Sequence, residues 1–351
     1  MSGDPASALD QPHVLAPQIW RWRFDAAVTG LVFTRSGHHF GAALGDGTLR
    51  IAACAGPSSA PRVVAAHDGA ALCLACDCTS DGFLSGGDDG RLVRTGADGT
   101  RQTLLHAAAQ LIDTIAVTET SLAVALGREV RVLEPGGREA GRTAEHPSTV
   151  SGLAFGPKRK RLAVSHYDGV TLWWTASIGA TPRRLKYRGS HIGVWWSPDG
   201  AYLITATQES ELHGWRMADG SDLRMSGYAT KVRSLDWVGK PRYLVSGGAE
   251  SVVAWPFSGS GPAGKTPLEL GYKAGSLVTV VAANPARPLL AFAYRDGEVR
   301  VADLPRRRIV SIKPPGDGKP ASMAWSPDGT ALGVGTEDGA ACLIDLSRGR
   351  E

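Results

Sequence analysis

The residues 259–266, Gly259-Ser260-Gly261-Pro262-Ala263-Gly264-Lys265-Thr266, match the pattern Gly-x-x-x-x-Gly-Lys-Thr letter for letter. In a working phosphate loop of this kind, backbone N–H groups curl around phosphate and the lysine meets its oxygens. Gly259, Gly261 and Gly264 also satisfy Gly-x-Gly-x-x-Gly. Both patterns need a preceding strand and a following helix, whose N-terminal N–H groups favour the anion. A strand-like run does precede, at residues 252–255. Pro267 then follows at once, and residues 268–272 are strand-like again. The expected reading is a flexible Gly/Ser/Pro/Ala loop, with nucleotide binding through Lys265 as a remote alternative.

Cys73, Cys76 and Cys78 are close enough to suggest a soft metal. On a strand, however, residues 73 and 76 point to opposite faces. The repeat described below also gives Cys76 an apolar position and Cys78 a turn position, so no metal is expected. There is no hydrolase nucleophile elbow, no His-Glu-x-x-His pair and no acidic metal loop. The chain is therefore expected to have no catalytic residue and no cofactor. A third group is charge. Lys158, Arg159, Lys160 and Arg161 stand together, as do Arg183 and Arg184, and Arg306, Arg307 and Arg308. Such clusters suit an acidic partner.

What must position these groups is a repeated meander. Between Gly189 and Gly220 lie three short apolar runs, joined by Ser197-Pro198-Asp199-Gly200 and a turn near Glu209-Ser210. Pro198 presets φ for its turn and Gly200 supplies freedom there. Asp46-Gly47, Asp89-Gly90, Asp168-Gly169, Asp296-Gly297 and Asp338-Gly339 mark the second turn in other copies, with degenerate versions at Arg128-Glu129 and Glu250-Ser251. That makes eight units with a mean period of about 42 residues, the range of four-stranded propeller blades. First strands align in columns. One reads Leu31, Leu74, Ile115, Leu153, Val194, Leu235, Val281 and Met323. The column two residues on includes Phe33, Phe155, Trp196, Trp237 and Trp325, on the same strand face and packed against a neighbouring blade.

Seven further runs lie between the meanders, each a candidate fourth strand. The last unit lacks one. Residues 19–24, from Ile19 to Phe24, alternate Trp20 and Trp22 with Arg21 and Arg23 and have no unit of their own. They are expected to close the eighth unit and so remove an exposed edge. The expected fold is an all-β propeller of four-stranded antiparallel blades, eight in number with seven as the alternative. A mobile tail would occupy residues 1–17 and a single propeller domain residues 18–351.

In these features the chain resembles the WD-repeat (WD-40 type) β-propellers over nearly its whole length. The Trp-Ser-Pro-Asp-Gly turns beginning at Trp196 and Trp325 carry the resemblance. The family's good repeats contain a buried tetrad of His, Ser or Thr, Asp and Trp. The resemblance implies that His191, Thr207, Glu209 and Trp215 form one such tetrad, with Glu in place of Asp. His146, His166, Asp168 and Trp174 would form another, with His in place of the hydroxyl. Buried polar groups need partners, so these histidines are read as structural. Seven is the commoner blade number in that family, which mostly scaffolds protein complexes.

Composition agrees. The chain has 351 residues, 44 of them glycine and 21 proline, and its formal net charge is +4. Turns rather than helices account for that glycine and proline content. A charge this small does not by itself imply nucleic acid. The acidic second turns and the lack of interleaved aromatics speak against it too. The five cysteines suggest no disulfide framework. Residues 1–11 lack the charged and apolar regions of a signal peptide, and no apolar run reaches membrane-spanning length. The expectation is a cytoplasmic interaction scaffold, monomeric outside its complex. A basic turn face, carrying the three clusters above, would dock one or more acidic proteins. Nucleic-acid association through that face is the alternative.

Overall fold

The computed structural model describes residues 13–14, 17–57, 60–78, 81–239, 243–259 and 261–347. Short antiparallel strands dominate, and one helical turn, Thr175–Ser177, is found among the described residues. No helix there is long and apolar enough to cross a membrane. The first unit shows the pattern: Val28–Phe33, His39–Leu44, Thr48–Ala53 and Arg62–Ala65 pair in chain order. Second strands such as His39–Leu44, Gly82–Gly87 and Leu122–Leu126 are buried almost throughout. They are covered on both faces by neighbouring sheets, so they read as near-continuous runs of small and apolar residues. Fourth strands such as Arg62–Ala65 and Glu139–Arg142 are mostly exposed at the rim.

The sheets meet through the columns seen in the sequence. Trp196 Nε1 donates to the carbonyl of Ala154 at 3.1 Å, and Trp325 Nε1 to that of Ala282 at 3.0 Å. Each indole thus ties its first strand to the first strand of the preceding unit. Serines one position before the first column do the same in the other direction. Ser234 Oγ accepts from Val281 N at 2.9 Å, and Ser322 Oγ accepts from Leu31 N at 3.0 Å. Asp236 Oδ2 accepts from Ala283 N at 2.8 Å.

The N-terminal strand closes the ring as expected, one residue earlier than its sequence limits. Gln18–Arg23 pairs antiparallel with Ala340–Asp345, Ile19 opposite Ile344 and Trp22 opposite Ala341. Trp22 is buried with its ring 5.4 Å from that of Phe40 in the first unit. Ring closure therefore combines a strand ladder with a core contact. Most of the expected tail lies outside the described residues. Within it, His13–Val14 forms a strand that pairs in parallel with Arg308–Lys313 at the rim of the seventh unit.

The expectation of eight separate blades is corrected to its alternative, seven. Hydrogen bonding groups the described strands into seven sheets. Units four and five share one six-stranded sheet, in the order Gly152–Phe155, Arg161–Trp174, Arg183–Trp196, Tyr202–Thr207, Leu212–Arg216, Asp222–Met225. The cause is local. Within Arg161–Trp174 the backbone passes Asp168 at φ 66° and Gly169 at φ 137°. Positive φ at two successive residues is what the tightest hairpin turns demand, and Asp and Gly tolerate it best. Within Arg183–Trp196 it passes Gly189 at φ 135°, which lets the last strand of unit four run on into the first of unit five.

Candidate protein-interaction site

Beneath the turns lie chains of buried polar groups, and their membership differs from the sequence expectation. His191 Nδ1 pairs with Thr205 Oγ1 at 2.8 Å, not with Thr207. Thr207 stands opposite His191 in the strand pairing, but its hydroxyl donates to the carbonyl of Glu211. The other ring nitrogen of His191 meets Tyr187 O, and no hydrogen bond joins it to Glu209 among the described residues. Trp215 is buried beside it, the ring centroids 6.0 Å apart.

In the fourth unit the correction is one of register. Trp173, not Trp174, donates its indole N–H to His146 Nε2 at 3.0 Å. Neighbouring strand residues face opposite ways, and Trp174 is left 49% exposed with Arg161 stacked 4.9 Å over its ring. His166 pairs with Thr171 Oγ1 at 2.8 Å and with its neighbour's carbonyl. Asp168 instead accepts weakly from Gly189 N.

The most complete chain is one the sequence reading passed over. His67 Nδ1 lies 3.0 Å from Asp89 Oδ1, and His67 Nε2 lies 2.8 Å from Ser85 Oγ. Burial works against the charge on Asp89. Hydrogen bonds from His67 and from the amides of Asp68 and Arg91 more than offset it and hold the carboxyl below its usual range. The signal was the spacing of His67, Ser85 and Asp89, hidden because Thr95 stands where a tryptophan would complete it. In the sixth unit Tyr228 replaces the histidine. Its hydroxyl meets Ser246 Oγ at 2.8 Å and accepts from Trp255 Nε1 at 2.8 Å.

His146, His166, His191 and His213 form a buried array through units four and five. Burial pulls the imidazoles of His146 and His213 down to about 4, and lowers those of His166 and His191. His213 lies flat on Tyr187, centroids 3.5 Å apart; among the described residues neither ring nitrogen has a hydrogen-bond partner, and Asp222 Oδ2 stands 3.9 Å from Nε2. These histidines are set up to stay neutral and to hold strands in place.

The first and third turns share the face opposite these chains. Arg35 and Arg159 both reach Glu119, at 3.4 and 2.8 Å, linking the first turns of units one, three and four. Arg94 clamps Asp77 through Nε at 2.7 Å and Nη2 at 3.0 Å, and also reaches Pro135 O in a third turn. Of the expected docking residues, Arg159 is held by Glu119, Arg161 by Trp174 and Arg306 by Asp303 at 2.8 Å. Lys158, Lys160, Arg183, Arg307 and Arg308 are exposed, with no ion pair among the described residues. Arg183 reaches toward Gly220, in the third turn of unit five. Arg184 leaves this group. It lines a cleft with His166, Tyr167 and Asp168 beside a second turn. On the opposite face, Lys273 meets Asp296, Lys319 meets Glu337 and Arg91 meets Asp68. Both faces are thus less one-signed than their turn residues alone imply.

The phosphate-loop match is a turn. Lys265 N bonds Pro262 O at 3.0 Å, the Lys265 amine bonds Ser258 O, and the strand Leu268–Leu270 follows where a helix is needed. Ser260 lies outside the described residues. The three thiols make separate contacts, Cys73 with Ile112 O, Cys76 with Asp77 O and Cys78 with Asp77 Oδ1. No group of three His, Cys, Asp or Glu side chains suited to a metal occurs among the described residues.

Comparison with known proteins agrees with this geometry. Residues 281–351 match the family model described as the anaphase-promoting complex subunit 4 WD40 domain. WD repeat-containing protein 55 from Rattus norvegicus and from Mus musculus is 27% identical over 203 residues, which is 56% of this chain and 51% of the relative. The chain thus aligns with about half the length of the curated relatives it matches. The crystal structure of the computationally designed Ika8 protein superposes with a TM-score of 0.74 over 95% of this chain and 100% of that one, at 16% identity. That likeness concerns the fold alone. The repeat, the sheets and these matches together define the class of fold: a β-propeller whose sequence is similar to those of WD-repeat proteins.

Proposed function

We propose that this protein is a non-catalytic scaffold that docks an acidic protein on the face formed by its first and third turns. The observation carrying this reading is the set of exposed cations without ion-pair partners among the described residues: Lys158, Lys160, Arg183, Arg307 and Arg308. They sit on two units, four and seven, an extended surface rather than a pocket, and such a surface steers encounter more than it deepens affinity. The Arg35–Glu119–Arg159 and Arg94–Asp77 contacts hold turns of this face in place, as rigid docking requires. The matched family model is named for a subunit of a multiprotein complex, which is consistent with a scaffold.

The test is a charge reversal, Lys158→Glu, Lys160→Glu and Arg307→Glu together. Association with an acidic partner should slow several-fold and the effect should shrink in high salt, because exposed charges are screened over about 10 Å at 0.1 M. Preferential binding of single-stranded nucleic acid, with a steep salt dependence lost in the same variant, would instead favour the polymer.

A further inference from the structure

The rim of unit four offers a second surface, away from the turn face. Residues 183–188 read Arg-Arg-Leu-Lys-Tyr-Arg, with four cations and no acid in six positions. Three other fourth strands contain an acid, Glu139, Asp222 and Glu269, and those without one, such as Arg62–Ala65 and Arg308–Lys313, hold at most two Arg or Lys. Arg184, Lys186 and Arg188 line one cleft of about 470 Å³. All three are exposed, and none makes an ion pair among the described residues. Tyr167, 48% exposed, and Pro147 form its apolar wall, and Asp168 is its one acid.

The backbone here is also open. Arg183–Trp196 pairs with Arg161–Trp174 on one side, and pairing with Tyr202–Thr207 begins only at His191. Over residues 183–187 the outer edge has no strand partner among the described residues. An unpaired edge is a template for another strand. This propeller already accepts one: His13–Val14 adds in parallel to the rim strand of unit seven.

We propose that the edge at residues 183–188 binds an extended acidic peptide segment of a protein partner by strand addition. Main-chain hydrogen bonds would supply affinity. Carboxylates at alternate positions would meet Arg184, Lys186 and Arg188 in the cleft, which is how strand addition divides affinity from specificity. Arginine and lysine on an edge also guard against unwanted pairing, so the experiment must separate recruitment from protection.

The probe is a fluorescein-labelled peptide of four Glu-Thr repeats, titrated into the intact protein and followed by anisotropy. Saturable binding should weaken at least tenfold in Lys186→Glu/Arg188→Glu, with an unchanged circular dichroism spectrum. Binding should persist in the turn-face triple reversal, so that failure of one surface is distinguishable from failure of the other. A peptide N-methylated at alternate residues keeps its charge but loses donors along one edge. It should bind at least tenfold more weakly when the edge facing the protein is blocked. Equal binding of both N-methylated registers and the parent would overturn strand addition. No binding by wild type, or tighter binding of inorganic phosphate or single-stranded RNA than of the peptide, would show that the cations guard the edge or serve another anion.

Discussion

Two adjacent tryptophans do opposite things. Trp173 is 3% exposed and hydrogen-bonded to His146, whereas Trp174 is half exposed beneath Arg161. Trp173→Ala should cost about 3–5 kcal/mol, since it opens a cavity and strands a buried imidazole. Trp174→Ala should fall within about 1 kcal/mol of wild type, as surface changes do. Denaturant midpoints of the two variants check this, and equal losses would mean that the strand register is wrong. In the second unit, His67→Ala removes the partner of both Ser85 and Asp89. It should destabilise by about 1–3 kcal/mol, measurable in the same way. The histidines of these chains were legible in the sequence at His146 and His191. Their partners were not, because Thr205 against Thr207 and Trp173 against Trp174 turn on side-chain direction and on one residue of register. The chain centred on His67 escaped notice because its unit has no tryptophan to announce it.

At the scale of elements, the first-strand columns and the closing strand were legible because both rest on period 2 and on which face is covered. Trp20 and Trp22 alternate with arginines, and only the last unit lacked a partner for them. The joining of units four and five into one sheet was not legible. It depends on backbone angles at Asp168, Gly169 and Gly189 that residue type permits but does not dictate. That shared sheet also carries three histidines of the buried array, His166, His191 and His213, and the fourth, His146, lies in the connection leading into it. Their folded pKa values lie below the unfolded value of about 6.5, so between about 6.5 and 4 the unfolded chain binds more protons. Stability is then complete above pH 6.5 and falls as the pH drops toward 4. Replacing His213, whose nitrogens have no hydrogen-bond partner among the described residues, by phenylalanine keeps the stacking on Tyr187 and removes one titrating group. The loss of stability between pH 7 and pH 5 should be smaller in His213→Phe than in wild type. An identical loss in the two proteins would place the acid sensitivity elsewhere. Closure has its own test at this scale. Deleting residues 1–24 removes Gln18–Arg23, which uncovers the edge of Ala340–Asp345 and abolishes the Trp22–Phe40 contact. It should lower the melting temperature far more than deleting residues 1–16, and equal melting temperatures would refute closure.

At the scale of the whole molecule, a rigid ring presents two sets of turns with different charge and a rim of strand edges. The sequence made the charge clusters visible, but not which of them are already satisfied. Arg159, Arg161 and Arg306 spend their charge within the protein, on Glu119, on Trp174 and on Asp303. Arg184 belongs to the rim cleft rather than to the turn face. The docking surface we propose is thereby narrowed to Lys158, Lys160, Arg183, Arg307 and Arg308. The most direct measurement is the association rate of an acidic partner captured on wild-type protein, compared with the Lys158→Glu/Lys160→Glu/Arg307→Glu variant at low and high salt. The account predicts a several-fold slower rate for the variant at low salt, converging with wild type at high salt, with no change in thermal stability. An association rate indifferent to both the reversal and the salt would contradict it.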